Sequence, residues 1–196
     1  MTMQTPNDFK TVVLGWIDQK GKETHTALPG KVVSYDAASN RASVQPEGLY
    51  KAEDGSTIPY PVIYSVPVVF PCGMSGKAGI TFPIYPGDGV LLVFSETQMD
   101  DFLTGGDSDD PRSHSLNDAI AVPGLYSGGV NDSPDAVCLR FGGSKVLLDG
   151  SGFHGTLSDG TSFSFAGGDL VVNGISLVHH VHGGIEPGPA KTGQPE

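Results

Sequence analysis

Between Gly142 and Gly184 the chain is interrupted by six turn dipeptides: Gly142-Gly143, Asp149-Gly150, Asp159-Gly160, Gly167-Gly168, Asn173-Gly174 and Gly183-Gly184. Pairs of this kind supply the positive φ angles that tight hairpin reversals need. They leave only short strands: Ala136 to Phe141, Ser144 to Leu148, Phe153 to Leu157, Thr161 to Phe165, Asp169 to Val172, and Ile175 to His182. Thr161-Ser162-Phe163-Ser164-Phe165 alternates, so one face of these strands is apolar. Strands this short cannot build a core in an isolated chain. A segment of this texture either stacks as a solenoid or winds with identical copies into a shared prism. About six strands are thin for a self-sufficient solenoid, which points to the shared arrangement, a homotrimer.

The rest of the chain agrees with an all-β reading. Of 196 residues 28 are glycine and 15 proline, while 38% are apolar and only 17% charged. Lys31 to Asp36 and Arg41 to Pro46 alternate on either side of a turn at Ala37 to Asn40. Val62 to Phe70, Gly79 to Pro83 and Gly89 to Phe94 follow, the last entered through Pro86-Gly87-Asp88. Five or so strands with a polar excursion at Met99 to Asn117 predict an OB-fold barrel. The expected organisation is an N-terminal helix and linker (1–27), the barrel (28–130), an intertwined trimeric β-helix (131–182) and a C-terminal tail capping its tip (183–196). The helix starts from an N-cap pattern at Thr5-Pro6-Asn7-Asp8 and places Val12, Val13, Trp16 and Ile17 on one face. That face packs on its own domain or docks a protein above it; the residues leave both open.

Several function classes are excluded by charge and motif content. The net charge of −11 opposes binding to a phosphate backbone and to an anionic membrane surface, and would triple in a trimer. No run of about 18 apolar residues exists to span a bilayer as a helix, and Met1 to Lys10 lacks the pattern of a secretory signal. The acidic stretch Asp100, Asp101, Asp107, Asp109 and Asp110 lacks the spacing and closing Glu of an EF-hand and reads as a solvated loop. Cys72 and Cys138 are far apart and flanked by apolar residues, which predicts buried thiols. There is no nucleophile elbow.

Chemistry concentrates at Val178-His179-His180-Val181-His182, where half of the six histidines fall within four residues. On a strand, His180 and His182 project the same way, about 7 Å apart, and His179 points away. Two imidazoles do not complete a metal site. Three chains supplying His180 and His182 give six nitrogens, an octahedral set that suits iron, with nickel or cobalt also compatible, better than four-coordinate zinc. With every position filled by protein, such a site is structural.

His180-Val181-His182-Gly183-Gly184-Ile185, with Pro187-Gly188 and Thr192-Gly193-Gln194-Pro195, resembles the C-terminal signature of baseplate central spike proteins of Mu-like and related contractile-tailed phages. Gly30 to Asp36 with Val44-Gln45-Pro46, Gly87 to Leu91, and His114 to Ile120 with Pro123-Gly124 resemble that family's barrel domain. The resemblance implies a homotrimer with an OB barrel and a tapering β-helix. It further implies one iron ion per trimer at the apex, held by His180 and His182 of each chain. The implied role is structural: a virion protein under the tail tube, bound to a baseplate hub protein on its N-terminal side, driven through the host outer membrane on sheath contraction, with no catalysis and no nucleic-acid partner. Tail-derived bacteriocin particles share the signature. Two rival readings are an OB-fold module binding a cell-surface saccharide and a His-ligated metalloenzyme. The latter would need a third His and a carboxylate farther along the chain, and no histidine follows His182.

Overall fold

The computed structural model describes residues 9–51, 55–107, 109–128, 131, 133–184 and 188. It is all-β apart from two helices and two single 3-10 turns among these residues, and it divides into two compact units, Met1–Gly128 and Gly129–Glu196. The N-cap pattern at Thr5 to Asp8 and most of the tail, 185–187 and 189–196, lie outside the described residues.

The first unit opens with helix α1 (Phe9–Glu23), on which Trp16 and Ile17 are exposed. Strands β1 (Ala27–Asp36) and β2 (Arg41–Pro46) then form a hairpin. Asn40 makes its turn, in the left-handed region at φ 52°. Its Oδ1 accepts from the Tyr35 hydroxyl (2.9 Å) and its Nδ2 donates to the Val68 carbonyl (2.8 Å), tying the hairpin to a segment far along the chain. A small pair, β3 (Leu49–Lys51) and β4 (Thr57–Pro59), precedes β5 (Ile63–Pro67). A second small pair, β6 (Cys72–Gly73) and β7 (Ala78–Gly79), precedes β8 (Gly89–Phe94). Helix α2 (Asp100–Thr104) and β9 (Ala119–Pro123) complete the unit.

The main sheet runs β5-β2-β1-β8-β9, and a single parallel bridge from Val68 to Ala121 brings its two edges together. Curling of this kind needs local breaks in pairing. Val33 is an extra residue in β1 against β2, and Tyr64-Ser65 are two residues of β5 against Ser43 of β2. Val32, Ala42, Val44, Val66, Val90 and Leu92 face inward, none more than 3% exposed.

Three expectations are corrected here. Gly79 to Pro83 is not a strand; pairing stops at Gly79, because the next partner in register, Pro71, accepts the Ile80 N–H at 3.0 Å but has no N–H to return. Cys72 is exposed on β6 and Cys138 is half-buried, so neither is a core thiol, and both are free. The acidic excursion is more than a solvated loop: Asp100 and Asp101 open α2, and Arg112 binds Asp100 (2.8 Å), Asp110 (3.5 Å) and the buried Asp118 (2.8 Å). Asp118 also accepts the Met99 N–H at 2.9 Å, so this cluster closes the excursion at its base.

The second unit is a six-stranded antiparallel meander: β10 (Val137–Phe141), β11 (Ser144–Asp149), β12 (Gly152–Thr156), β13 (Ser162–Ala166), β14 (Asp169–Val172) and β15 (Ile175–Ser176). Its register sorts side chains by face. One face carries two cross-strand rows, Val137-Leu148-Phe153-Phe165-Leu170 and Leu139-Val146-Gly155-Phe163-Val172-Ile175. The other carries Arg140-Lys145-Thr156-Ser162 and Cys138-Leu147-His154-Ser164-Val171-Ser176. Both rows of the first face are apolar but for Gly155, and Ser144 opposite Phe141 is the polar position beside them. Val146, Phe163 and Leu170 are half-buried in the single chain, while the outer residues stay open, from 42% exposure at Val172 to 71% at Phe141. Gly155 has a packing role: a Cβ there would meet the Phe163 ring at 2.8 Å and the Lys145 carbonyl oxygen at 2.7 Å. The Asn173-Gly174 turn has positive φ at both residues (48° and 81°), the two-residue geometry that Asn-Gly favours.

Candidate metal centre

The strand expected to carry both histidines ends early. β15 stops at Ser176, and 177–182 form a turn and an irregular segment. Local hydrogen bonding wins over the ladder here. The Ser176 hydroxyl accepts the His179 N–H at 2.7 Å, and the Asp169 carboxylate accepts the Val178 N–H at 3.1 Å. His180 and His182 are nevertheless brought together by the turn, with ring centroids 5.0 Å apart and planes at 82°. Both rings are exposed.

His180 is oriented by its own backbone. Its Nδ1 lies 2.9 Å from the Ser176 carbonyl and 3.1 Å from the Leu177 carbonyl. A carbonyl oxygen only accepts, so Nδ1 carries the proton and the ring's lone pair sits on Nε2. His180 is thereby set up to ligate through Nε2. His179, expected to point away, is instead drawn back onto β14: its Nδ1 is 3.5 Å from Asp169 Oδ2 and 3.3 Å from Ser176 Oγ. It remains outside the pair. His154 pairs with Asp149 at 3.4 Å on the polar face. Among the described residues no three His, Cys, Asp or Glu side chains of one chain are grouped to hold a metal ion. One chain offers two imidazoles, a donor set that iron, nickel, cobalt and zinc all accept.

Asp169 and Ser176 were not singled out by sequence reasoning. The available signal was a serine three residues before His179, a spacing at which a hydroxyl caps a turn.

The chain is thus all-β, with a first unit built on a curled sheet and a second that exposes an apolar face and ends in paired histidines. Residues 28–124 match the family model described as the phage protein Gp138 N-terminal domain, and residues 174–196 match the GpV apex motif. The chain belongs to the phage baseplate spike proteins and is a tail-tip spike protein. The apex match begins at the Asn173-Gly174 turn and includes Ser176, His180 and His182. No curated protein matches the chain.

Proposed function

We propose that the chain is the membrane-piercing spike of a contractile tail, active as a homotrimer and without catalysis. The observation that carries this is the apolar face of the β10–β15 sheet: its two rows need a cover, and three identical faces turned toward a common axis provide one. Each Phe or Leu fully buried this way contributes about 1.5–3 kcal/mol. The resulting prism would be the shared β-helix, and its hydrogen-bonded strands would bear axial load. The barrel supports the same reading. Its order β5-β2-β1-β8-β9, with a parallel bridge between the edges, is compatible with a five-stranded OB barrel, the unit that would meet a baseplate hub, with α1 available to dock there.

His180 and His182 of three chains would hold one iron ion at the apex. Bound there, iron supplies coordinate bonds that staple three chain ends and prevent fraying. The saccharide reading gains little support. The barrel has an open groove of about 620 Å³ beside Tyr35, Asn40, Phe70 and Phe82, but the Asn40 amide is already engaged on both sides, by Tyr35 and Val68.

The test is metal content and mass of the untagged protein, by plasma mass spectrometry and sedimentation. One iron per three chains is the expected result, and the paired change His180→Ala, His182→Ala should remove the metal and leave the trimer. One zinc per chain in a monomer would overturn the reading.

A further inference from the structure

The turn that presents His180 is held by groups outside the histidine pair. Asp169, the first residue of β14, accepts the Val178 N–H on Oδ1 at 3.1 Å, and its Oδ2 lies 3.5 Å from His179 Nδ1. The Ser176 side chain hydrogen-bonds to the same carboxylate. Ser176 Oγ in turn accepts the His179 N–H at 2.7 Å, while Leu177 donates its N–H to the Leu170 carbonyl at 2.8 Å. These bonds wrap 176–180 so that the Ser176 carbonyl faces His180 Nδ1 at 2.9 Å.

The β14–β15 hairpin does not need this. Its Asn173-Gly174 turn and its two ladder pairs, Val171 with Ser176 and Val172 with Ile175, already fix its register. The contacts of Asp169 reach past the last ladder pair, to Val178 and His179, the residues that lead into His180. Hydrogen bonding, first of all from Ser176, also holds the Asp169 carboxyl below the usual carboxylate range, which favours the ionised acceptor.

We propose that Asp169 and Ser176 are positioning residues of the apex: they hold the turn in which the Ser176 carbonyl fixes His180 as the Nδ1–H tautomer, leaving Nε2 to bind metal. The proposal rests on the reading of His180 and His182 as iron ligands. Groups that orient a ligating imidazole typically change metal affinity 10- to 100-fold when removed.

The test compares the full-length wild type with Asp169→Ala, Asp169→Asn and Ser176→Ala. Iron retention is followed against a competing chelator, and the imidazole ¹⁵N shifts of His180 are read on protein stripped of metal. Asp169→Ala should lose iron on the order of 10- to 100-fold more readily while remaining trimeric, and its stripped form should no longer hold His180 as the Nδ1–H tautomer. Asp169→Asn keeps an acceptor for the Val178 N–H and should recover most of both properties. If Asp169→Ala fails to assemble, Ser176→Ala, which keeps the carbonyl but not the hydroxyl, should show the same two changes in smaller measure. Iron-loaded wild type beside an Asp169→Ala trimer with unchanged retention and tautomer overturns this proposal alone. A wild-type trimer that holds no iron overturns the metal reading and this proposal with it.

Discussion

In the barrel, Val32, Val44, Val90 and Leu92 face one another across a curled sheet and are at most 3% exposed, whereas Val137, Leu139 and Phe141 of the C-terminal sheet are 60–71% exposed. Every buried hydrophobic side chain among the described residues lies between Val32 and Ala121. Both sheets use the same alternation of apolar and polar residues. What separates them is curvature. The barrel breaks register at Val33 and at Tyr64-Ser65, with Ser65 at φ 59°, and those breaks let its strands coil until β5 reaches β9. The C-terminal ladder runs through five consecutive pairings without a shift. It stays open, so whatever covers its apolar face must come from outside the sheet. One chain therefore contains a unit that carries its own core and a unit whose apolar face leaves part of its cover to be supplied from elsewhere.

The sharpest way to break this comparison is Phe165→Asp. A carboxylate placed in the middle of an apolar row would be buried unpaired in each chain of a trimer, at several kcal/mol apiece. The trimer should be lost by sedimentation while the barrel stays folded. A mutant trimer that melts like wild type would show that this face is not the interface.

Leu92→Ala probes the other half. Leu92 is fully buried in the barrel, and its truncation should cost about 2–5 kcal/mol per chain in urea unfolding. The trimer should persist, since the barrel core lies wholly within one chain. Dissociation of the trimer by this substitution would mean that the two units are not energetically separate.

Much of this division was legible in the residues. Strands at Lys31 to Asp36, Arg41 to Pro46 and Gly89 to Phe94, and the hairpins at Gly142-Gly143, Gly167-Gly168 and Asn173-Gly174, follow from alternation and turn chemistry, which act over a few residues. The bulges at Val33 and Ser65 were not legible, because neither residue type marks one. The end of β15 at Ser176 was not legible for a related reason: no turn dipeptide falls between Ile175 and His182, and the group that binds the backbone just past the ladder is a carboxylate on the neighbouring strand. The exposure of Cys72 follows from the short β6–β7 hairpin that carries it. The proximity of His180 and His182 was expected from strand alternation, but it is a turn that brings the two rings together. The groups that orient the pair were not legible, since Asp169 is eleven residues before His180 in sequence and meets its turn only after β14 and β15 have paired.

A smaller effect tests how tightly the open face is built. In Gly155→Val the new side chain would press on the Phe163 ring and the Lys145 carbonyl. Overpacking of this kind costs about 1–3 kcal/mol, and the melting temperature of the C-terminal unit should fall while the barrel is unaffected. Equal melting would mean that Phe163 has room to move aside.

The smallest expected effect is in acid, and it separates the two units by pH window. Burial pushes the His25 imidazole in the barrel below its ordinary value of 6.5. The folded barrel then binds this proton less readily than the unfolded chain, so the associated stability is complete above 6.5 and declines as pH falls toward the lowered value. In the C-terminal sheet the depressed groups are carboxylates: Asp149 by the Ser151 hydroxyl, Asp159 by the Thr161 N–H, and Asp169 by the Ser176 hydroxyl, each from an ordinary value of 3.8. Their contribution is present above 3.8 and is lost as pH falls through their lower folded values. Asp36, held down by the Ser39 hydroxyl, gives the barrel a second loss in that same acid window. Hydrogen exchange resolved by peptide, run on the paired alanine variant of His180 and His182 so that metal release does not intrude, should show barrel protection declining first, below 6.5. Protection of β11 to β14 should hold until the carboxylate range. His25→Gln should abolish the early decline; if it persists, the acid sensitivity of the barrel has another source and this separation of the two units fails.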